Sequence, residues 1–380
     1  MSVEIAPWPV YETDEQIAVT KVLASGNANY WSGNECKLFE QEFATWCGVS
    51  YGLTVFNGTV ALEIALKAAG IQRGDEVIVT SRSFLASAAS VAAIGAIPVF
   101  ADVNFESGNL TAQTIQEVIT EKTRGVVVVH LGGWPADMRS ILKLADAHSL
   151  KVIEDCAQAH GATICGQKVG SYGHVSTFSF CQDKIMSTGG EGGMIVTDDV
   201  TIRDVAWSLR DHGRNRVKTL SDNHQFGFRW TQERIGTNGR MTEMQGAIGR
   251  CQLQKISKWL EERNENATAL IEGLQHLDGI SIPVTDQANL NAYYRVTIVF
   301  DDGQKRDKIV IALRELGVPV AVGPCPEIYL EQAFKDNFLA HSRPKSTASE
   351  LGKRTMVLPV HPGMHTALPW IIDKITLFFD

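Results

Sequence analysis

The chain has 380 residues, of which 44% are hydrophobic and 21% charged, and its formal net charge is −8. This length and composition are typical of a globular protein with a large core and two or three domains. The acidic balance argues against nucleic acid or an anionic membrane as a partner, because both attract basic surfaces. A local basic pocket for a phosphorylated small molecule is still compatible with it.

The cysteines and the N-terminus indicate where the protein works. The seven cysteines are scattered and form no Cys-x-x-Cys pair, which argues against a disulfide framework or a zinc knuckle. Residues 1–10 contain Glu4, Pro7 and Pro9 and lack the apolar core of a signal peptide. No uncharged apolar run reaches the roughly 18–20 residues of a membrane helix. We therefore expect a cytoplasmic protein.

Short β-branched runs alternate with helical patterns from Tyr51 to about Val200. The predicted strands are Gly52–Phe56, Glu76–Thr80, Pro98–Asp102, Gly125–His130, Lys151–Asp155, Val175–Phe180 and Gly193–Thr197. The helical patterns between the first five are Val60–Ala69, Leu85–Ile94, Ala112–Glu121 and Asp137–Ser149. This order predicts an α/β fold with a mostly parallel sheet covered by helices.

The remaining sequence predicts a second, smaller domain of α+β type. A long helical pattern, broken once, runs from about Met241 to Leu274 and links the two domains. After it we predict the strand Arg295–Phe300, the helix Arg306–Leu316, the strand Val318–Val322 and a last helix near Leu368–Phe378. The predicted divisions are an N-terminal segment, 1–30, near the small domain or the cleft, a large domain, 31–250, and a small domain, 251–380.

In such sheets ligands bind beyond the carboxyl ends of the strands. The first strand is followed by Asn57-Gly58-Thr59, which opens a helix. Free N–H groups at the helix start, a glycine that permits close approach and a hydroxyl together make an anion site. The alternative is an ordinary helix cap with Thr59 as the N-cap residue.

The second strand is followed by Ser81-Arg82-Ser83-Phe84. The Phe84 ring could stack on a planar ligand, or it could be the first core residue of the next helix.

The fifth strand ends in Glu154-Asp155-Cys156-Ala157-Gln158-Ala159-His160-Gly161. A buried carboxylate is costly unless a positive group pairs with it, and a protonated pyridine nitrogen facing Asp155 would meet that need. An acid beside a histidine could also hold a metal, but the cysteines and other histidines show no matching ligand spacing. In a purely structural role, Asp155 would cap a neighbouring helix or pair with a buried arginine.

Lys184 follows the sixth predicted strand, in a loop that continues into Gly189-Gly190-Glu191-Gly192-Gly193. A shielded lysine loses its proton more easily and can condense with a carbonyl compound. The alternative is a surface lysine before a flexible turn. Five residues before it, Ser179 could reach a phosphate while Lys184 reaches an aldehyde. A phosphate site, a stacking ring, a carboxylate for a ring nitrogen and a lysine for an aldehyde together predict pyridoxal 5′-phosphate (PLP) as cofactor, with no metal.

Several stretches resemble the sugar aminotransferases of the DegT/DnrJ/EryC1/StrS family, a branch of the fold-type I PLP transferases. The resemblance runs from about Ser25 to Leu260 and is carried by Gly74–Val79, Pro98–Val103, Pro135–Met138, Glu154–Ala162, Gly190–Gly193 and Arg210–Asn215. It implies a large α/β domain and a smaller α+β C-terminal domain.

The resemblance also implies roles for single residues. Lys184 would bind the cofactor aldehyde, and Asp155 would pair with the pyridinium nitrogen. Gln158 would contact the ring hydroxyl, and Phe84 would cover one face of the ring. The phosphate would be held by Gly58, Thr59 and Ser179. Asn238, in Gly236–Met241, would reach the phosphate of the partner subunit in a homodimer; its alternative is a turn residue between two glycines.

Two departures from the family pattern bear on function. Some relatives carry histidine at the lysine position and act as dehydratases, and Lys184 argues against that activity here. Many relatives carry a Tyr-Pro-x-Pro-hydrophobic-His motif in the small domain, where this chain has Gly323–Tyr329 without histidine.

The resemblance implies transfer of an amino group from glutamate to a keto group, at C4, of a nucleotide-linked 6-deoxyhexose, for a surface polysaccharide such as O-antigen. Because Lys184-Ile185-Met186 is similar to a segment of family members that aminate cyclic ketones, a keto-cyclitol is the alternative substrate. A non-catalytic regulator is the alternative of another class.

Overall fold

The computed structural model describes residues 5–221, 230–338 and 345–379. Within these ranges the strands are β1 (Tyr51–Val55), β2 (Glu76–Thr80), β3 (Ile97–Ala101), β4 (Thr123–Val129), β5 (Lys151–Asp155), β6 (Thr163–Ile164), β7 (Gln167–Lys168), β8 (Val175–Ser179), β9 (Gly193–Thr197), β10 (Ile280–Ser281), β11 (Asn289–Leu290), β12 (Arg295–Phe300) and β13 (Thr355–Pro359). The helices are α1 (Thr13–Ser25), α2 (Glu35–Cys47), α3 (Gly58–Ala68), α4 (Ala86–Ala93), α5 (Ala112–Gln116), α6 (Met138–Ala147), α7 (Val200–Arg210), α8 (Arg216–Leu220), α9 (Glu243–Leu274), α10 (Gly303–Glu315), α11 (Gln332–Phe338), α12 (Ser346–Arg354) and α13 (Leu368–Thr376).

A seven-stranded sheet forms the centre of the large domain, in the order β1-β9-β8-β5-β4-β2-β3. Five neighbouring strands, from β8 to β3, are parallel, and β9 runs antiparallel between β8 and β1. Successive residues of a strand face opposite cores: Val152 packs into one apolar cluster and Ile153 into the other. The predicted α/β class with a mostly parallel sheet is confirmed.

The carboxyl ends of β1, β2, β5 and β8 lie at the same edge of this sheet, because these four strands run in one direction. The residues that follow them therefore meet in space, although they are separated in sequence by up to about 130 positions. This edge faces the small domain.

The small domain is built on a three-stranded sheet, β10-β12-β13, with α10 and α13 and the C-terminal half of α9 around one apolar cluster. The break predicted in the long helix is wrong, since α9 continues from Glu243 to Leu274. A glycine inside it, Gly249, serves close packing: a Cβ there would lie 2.6 Å from the Phe39 ring.

The predicted strand Val318–Val322 is also wrong. Of this segment only Ala321 pairs with β13, through two hydrogen bonds with Val357 of 3.0 and 2.8 Å. Pro319 lacks the N–H group that a ladder needs, so the segment cannot extend its pairing in that direction. On one side β12 pairs with β13, which follows α12 and for which the sequence pattern gave no prediction.

The N-terminal residues pack across both domains. Helix α1 lies along α9, where the ammonium of Lys255 is within 2.8–2.9 Å of carboxylate oxygens of Glu12, Asp14 and Glu15. Residues 1–4 of the predicted N-terminal segment lie outside the described residues. A membrane-spanning helix would need both length and apolar character, and no helix in the described parts of the chain combines the two.

Candidate active site

A cavity of about 900 Å³ lies between the carboxyl edge of the large sheet and the small domain. Seven of the eight residues predicted for the site line it: Gly58, Thr59, Phe84, Asp155, Gln158, Ser179 and Lys184. The small domain closes the opposite wall, with residues from β12 and from the segment around Gly323. The structure therefore brings together side chains that the sequence places far apart.

The start of α3 forms one end of the cavity. The side chain of Asn57 caps this helix by accepting a 2.9 Å hydrogen bond from the Val60 N–H, so the alternative with Thr59 as the cap is wrong. The N–H groups of Gly58 and Thr59 precede the first intrahelical bond and have no partner within the helix. A Cβ at Gly58 would lie 2.8 Å from the Cβ of Ser179. A glycine is required here, and its close approach places the Ser179 hydroxyl beside the free N–H groups.

Asp155, at the end of β5, is 5% exposed and faces the cavity. Its carboxylate accepts a 2.8 Å hydrogen bond from the Ser87 hydroxyl on α4 and a 3.1 Å bond from the Ala157 N–H. Among the described residues no arginine or lysine lies within ion-pair distance of it, so the pairing with a buried arginine is excluded there. Burial raises the pKa of Asp155, although the two hydrogen bonds act to lower it. This carboxyl lacks the cationic partner that would hold it ionised.

The preceding residue, Glu154, is satisfied by protein groups and faces the opposite side of β5. It accepts a 3.0 Å bond from His130 Nε2 and 2.7–2.9 Å bonds from the N–H groups of Gly170, Tyr172 and Gly173 and from the Ser176 hydroxyl. These bonds hold the pKa of Glu154 below its usual range, against burial, which acts to raise it. The role of Glu154 is to anchor the end of β5.

The histidine of the same segment does not belong to the cavity. His160 is fully buried against the rings of Phe178 and Phe180, and burial lowers its pKa to about 3. Asp155, the acid that the sequence suggested as its partner in a metal site, is not grouped with it. Within the described ranges the sets of side chains with ligand atoms in mutual reach are His130, Glu154 and Cys156, and Glu12, Asp14 and Glu15.

Lys184 extends into the cavity, with a side chain that is 13% exposed. Its Nζ lies 3.6 Å from Oδ1 of Asp183 and 5.1 Å from the centre of the Tyr294 ring. The Tyr294 hydroxyl in turn donates to the other oxygen of Asp183. Burial acts to lower the pKa of Lys184, but the phenol of Tyr294 and the carboxylate of Asp183 raise it overall. The expectation of a lysine that loses its proton easily is therefore wrong for the protein without its cofactor.

Phe84 and Gln158 both line the cavity. The Phe84 ring is 66% exposed, so the alternative that it is a core residue is wrong. The Gln158 side chain accepts a 2.8 Å hydrogen bond from the Gly132 N–H, which fixes its carboxamide oxygen. No hydrogen bond joins its carboxamide nitrogen to another of the described residues, so this donor is available to a ligand.

Trp8, from the N-terminal segment, supports the loop that carries Lys184. Its indole N–H donates a 2.9 Å hydrogen bond to the Lys184 backbone carbonyl. The ring is held edge-on by Trp259 of α9 and by stacking on His361 of the small domain. A single residue thus connects the lysine loop to both domains.

Asn238 is placed apart from the other predicted site residues. It is exposed, does not line the cavity, and pairs with Asp211 in an isolated bridge. Its neighbour Gly239 accepts a 2.9 Å hydrogen bond from the Phe56 N–H, which places Asn238 beside the end of β1.

The segment Gly323–Tyr329 docks on the residues after β2. The Ser83 N–H donates a 3.2 Å bond to the Cys325 carbonyl, and the Ile328 N–H donates a 2.9 Å bond to the Ser81 carbonyl. Gly323, Pro324 and Cys325 line the cavity. The segment that departs from the family motif is therefore part of the cavity wall.

Comparison with known proteins assigns this site to a family. The sequence pattern of the DegT/DnrJ/EryC1/StrS aminotransferase family matches residues 9–375. The chain belongs to this family. It is 34% identical, over 93% of its length and 88% of the relative's, to dTDP-3-amino-3,4,6-trideoxy-alpha-D-glucose transaminase from Streptomyces venezuelae. It is 38% identical to GDP-perosamine synthase from Caulobacter vibrioides, over 90% of this chain and 88% of the relative.

A solved structure shares the whole architecture. The aminotransferase from Psychrobacter cryohalolentis is 42% identical, covers 99% of both chains and superposes with a TM-score of 0.96. The protein is thus a PLP-dependent aminotransferase of fold type I, from a family of sugar aminotransferases.

The residues present fit PLP. The N–H groups of Gly58 and Thr59 and the Ser179 hydroxyl can donate hydrogen bonds to a phosphate. Because Gly58 has no side chain, Ser179 lies close to these N–H groups. Asp155 lacks a cation, which a protonated pyridine nitrogen would supply. Lys184 offers the amine.

Four residues of this region were given no role by the sequence alone: Ser87, Asp183, Tyr294 and Arg82. The signal that could have indicated Ser87 is its place in the first turn of the predicted helix Leu85–Ile94, directly after the residues that follow the second strand. Asp183 precedes Lys184 directly. Nothing in the sequence indicated Tyr294, because its contact with Lys184 depends on how the two domains pack together.

Proposed function

We propose that this protein transfers an amino group from glutamate to the C4 keto group of a nucleotide-linked 6-deoxyhexose, in the cytoplasm, for a surface polysaccharide such as O-antigen. The observation that carries the proposal is the convergence of Lys184, Asp155 and the Gly58–Ser179 donors on one cavity.

Each of these residues has a separate task in the proposal. PLP, when bound, supplies an electron sink for the reacting carbon. Asp155 keeps the positive charge at the ring nitrogen, and the Ser87 hydroxyl orients that carboxylate. Lys184 would move a proton between Cα of the amino donor and the C4′ carbon of the cofactor, as general base and acid. The N–H groups at Gly58 and Thr59 and the Ser179 hydroxyl hold the phosphate end, so the reacting atoms keep their position relative to Lys184.

The substrate class is supported by the relatives. Two of them are named for products that are nucleotide-linked amino sugars. The cavity of about 900 Å³ has room for a sugar next to the cofactor, in contact with the small-domain wall. The names of the relatives support the substrate class but not the carbon that is aminated, because the relative from S. venezuelae is named for a 3-amino sugar. Amination at C4 is our proposal.

We further propose that the protein acts as a homodimer that shares its active sites. Phe56 is 50% exposed and Ile235 is 96% exposed, and both flank the segment that carries Asn238. Large apolar side chains with this exposure are typical of a surface that a second copy covers. In such a dimer Asn238 would donate to the phosphate in the partner's cavity.

The proposal can be tested with purified protein loaded with PLP. L-Glutamate should bleach the visible colour of the cofactor, and a subsequent addition of a keto-sugar nucleotide should restore it. Three keto substrates are then compared: a 4-keto-6-deoxyhexose nucleotide, a 3-keto nucleotide sugar and a keto-cyclitol. The one that restores the colour fastest identifies the substrate, and we expect it to be the 4-keto-6-deoxyhexose nucleotide.

Two variants serve as controls. Lys184→Ala should bind PLP but complete no turnover. Asn238→Ala should weaken PLP binding, although Asn238 does not line the cavity of its own chain. Normal turnover by Lys184→Ala would refute the assignment. Faster restoration by the 3-keto sugar or by the keto-cyclitol would refute the C4 assignment and leave the transaminase intact.

A further inference from the structure

Arg82 is a buried cation that points into the cavity without a counter-charge. It follows β2 and is 3% exposed. Its Nη2 donates a 3.1 Å hydrogen bond to the Thr355 hydroxyl, whereas Nε and Nη1 have no hydrogen-bond partner. In residues 5–221, 230–338 and 345–379 no carboxylate lies within 4.0 Å of its guanidinium.

Other buried arginines of the chain, such as Arg210 and Arg263, also have nitrogen atoms without a partner, but they lie in different surroundings. Arg210 pairs with Glu40 at 2.5 Å. Arg306 lies 2.8 Å from Asp307 and donates to two backbone carbonyl groups. Arg263 lies over the Trp8 ring at 5.2 Å and donates to the Tyr293 carbonyl. None of these three lines the cavity, as Arg82 does.

The Nε and Nη1 atoms of Arg82 are themselves shielded from solvent, and glycines line the cavity beside the guanidinium. Two glycines flank the guanidinium: a Cβ at Gly108 would lie 3.7 Å from Nε, and one at Gly323 would lie 3.4 Å from Nη2. Both glycines have positive φ, of 69° and 96°, and both line the cavity. At these two positions the cavity wall next to Arg82 is therefore backbone that carries no side chain.

The charge of Arg82 persists at neutral pH. Burial lowers the pKa of Arg82, but only to about 10. A desolvated cation with unused N–H groups is unfavourable in the free protein, and a ligand that brings a negative charge removes that cost. Guanidinium groups bind carboxylates and phosphates through several N–H donors at once.

Arg82 is also connected to Asp155 through the side chains of Ser83 and Ser87. Ser83 Oγ lies 3.3 Å from Ser87 Oγ, and Ser87 donates to Asp155. A ligand on Arg82 would therefore lie on the same side of the cavity as Asp155, next to the small-domain segment at Cys325.

We propose that Arg82 binds an anionic group, a carboxylate or a phosphate, of a substrate that enters this cavity. The inference rests on the proposed function and names a recognition residue for it. Two sources offer this chemistry: a carboxylate of the amino donor, or the charged part of the keto substrate. Because amine transfer proceeds in two half-reactions, each source can be tested alone.

The first test measures anion binding without turnover. Thermal unfolding of the PLP-loaded protein is followed with and without glutarate, a dicarboxylate that has no amino group, and with inorganic sulfate. Saturating anion should raise the Tm of the wild type by roughly 2–4 °C. Arg82→Met should abolish this rise and should have a higher Tm than the wild type in the absence of anions, because it removes an unpaired buried charge. A lower Tm together with an unchanged anion response would overturn the proposal.

Arg306→Met is the matched control. Arg306 is 5% exposed and contacts the backbone of Thr355, whereas Arg82 contacts its hydroxyl. This variant should lose stability but keep the full anion response. Arg82→Lys retains a positive charge in a smaller group and should keep part of the rise in Tm. Circular dichroism of each variant verifies that it is folded, and a folded Arg82→Met variant with the full rise in Tm would overturn the proposal.

The second test separates the two sources. The bleaching of the cofactor by L-glutamate reports the first half-reaction, and the return of colour with the keto substrate reports the second. If Arg82 binds the donor, Arg82→Met should lower kcat/KM for L-glutamate about 100-fold and leave the second half-reaction within threefold of the wild type. The opposite pattern assigns Arg82 to the keto substrate.

Changes below threefold in both half-reactions would overturn the proposal. A wild-type protein that L-glutamate does not bleach, but that glutarate stabilises through Arg82, would refute the proposed donor and leave the anion site in place.

Discussion

The indole N–H of Trp8 donates a 2.9 Å hydrogen bond to the backbone carbonyl of Lys184, which joins residues 176 positions apart. The lysine loop also has internal bonds, such as Lys184 N–H to the Cys181 carbonyl at 3.1 Å, and side-chain bonds from Tyr11 and Tyr294. Trp8 therefore fixes the loop from outside, and we assign it as a positioning residue for Lys184.

Trp8→Phe removes the N–H donor and keeps an aromatic ring. A lost hydrogen bond of this kind costs about 1 kcal/mol, so we expect kcat to fall roughly fivefold with little change in KM. The pH at which the colour of the bound cofactor changes should also shift, because the lysine is held less tightly. Trp259→Phe is the control, since Trp259 contacts Trp8 edge-on at 5.1 Å. Equal effects of both variants would contradict the role of the N–H group.

Asp183→Asn should speed the loading of PLP near neutral pH. The amine must be neutral to attack an aldehyde, and the Asp183 carboxylate at 3.6 Å is one of the groups that raise the pKa of Lys184. Without that charge, more of the lysine is neutral, and we expect loading to be about threefold to tenfold faster at pH 7. The difference should vanish at pH values above the lysine pKa. The measurement is the growth of visible absorbance after PLP is mixed with the cofactor-free protein.

Glu191→Gln provides the comparison for Asp183→Asn. Glu191 also lines the cavity, but the described contacts pair it with Cys181 and not with Lys184. Loading of this variant should match the wild type. Equal acceleration in both variants would show that the general charge of the cavity, rather than Asp183, controls the lysine.

Asp155→Asn should have opposite effects on the cofactor-free and the loaded protein. The folded-state pKa of Asp155 is raised by burial, so the folded protein binds this proton more tightly than the unfolded chain. Wild-type stability is then lost as pH rises above about 4 and through the raised pKa. The asparagine variant avoids this loss, and without PLP it should unfold at a higher denaturant concentration than the wild type at pH 8. With PLP the order should reverse, since the pyridinium nitrogen has lost its partner. A variant that is less stable in both forms would contradict this assignment.

Glu154→Gln should destabilise the protein with or without PLP. Hydrogen bonds from His130 and from backbone N–H groups outweigh burial and hold the pKa of Glu154 below its usual range. Its contribution to stability is therefore present above the unfolded pKa and is lost as pH falls through the lower, folded value. We expect a loss of about 3 kcal/mol at pH 7 that shrinks in acid. Denaturant unfolding at several pH values measures it.

Ser176→Ala calibrates the Glu154 result. It removes one of the five donors to the same carboxylate, a 2.9 Å bond, and should cost about 1 kcal/mol. A loss for Glu154→Gln no larger than this would contradict the view that Glu154 anchors β5.

The order of the strands and the residues at their carboxyl ends could be predicted because both are local. The run Val126–Val129 predicts a buried strand, and Asp155 follows another such run directly. In a parallel sheet these ends must lie together. Seven of the predicted site residues line one cavity accordingly, although the role of Gln158 was implied by the family resemblance and not by the strand pattern.

What the sequence did not predict depends on contacts between distant segments. Lys184 lies next to Tyr294 only because the small domain packs against the sheet edge, and this contact reverses the expected direction of its pKa shift. Arg82 follows its strand just as Phe84 does, but nothing in its neighbourhood shows that its nitrogen atoms lack a partner. Exposure and unmet hydrogen bonds arise only in the folded chain.

Strand β9 has a consequence for the order in which the protein is made. The first strand, β1, has β9 as its one neighbour in the large sheet, and β9 ends at Thr197. The helix that begins at Gly58 therefore has its complete surroundings at Ser179 only when β9 lies between β1 and β8. We expect a chain that stops before Thr197 to contain every residue proposed for the phosphate except Asn238, but to retain the cofactor poorly.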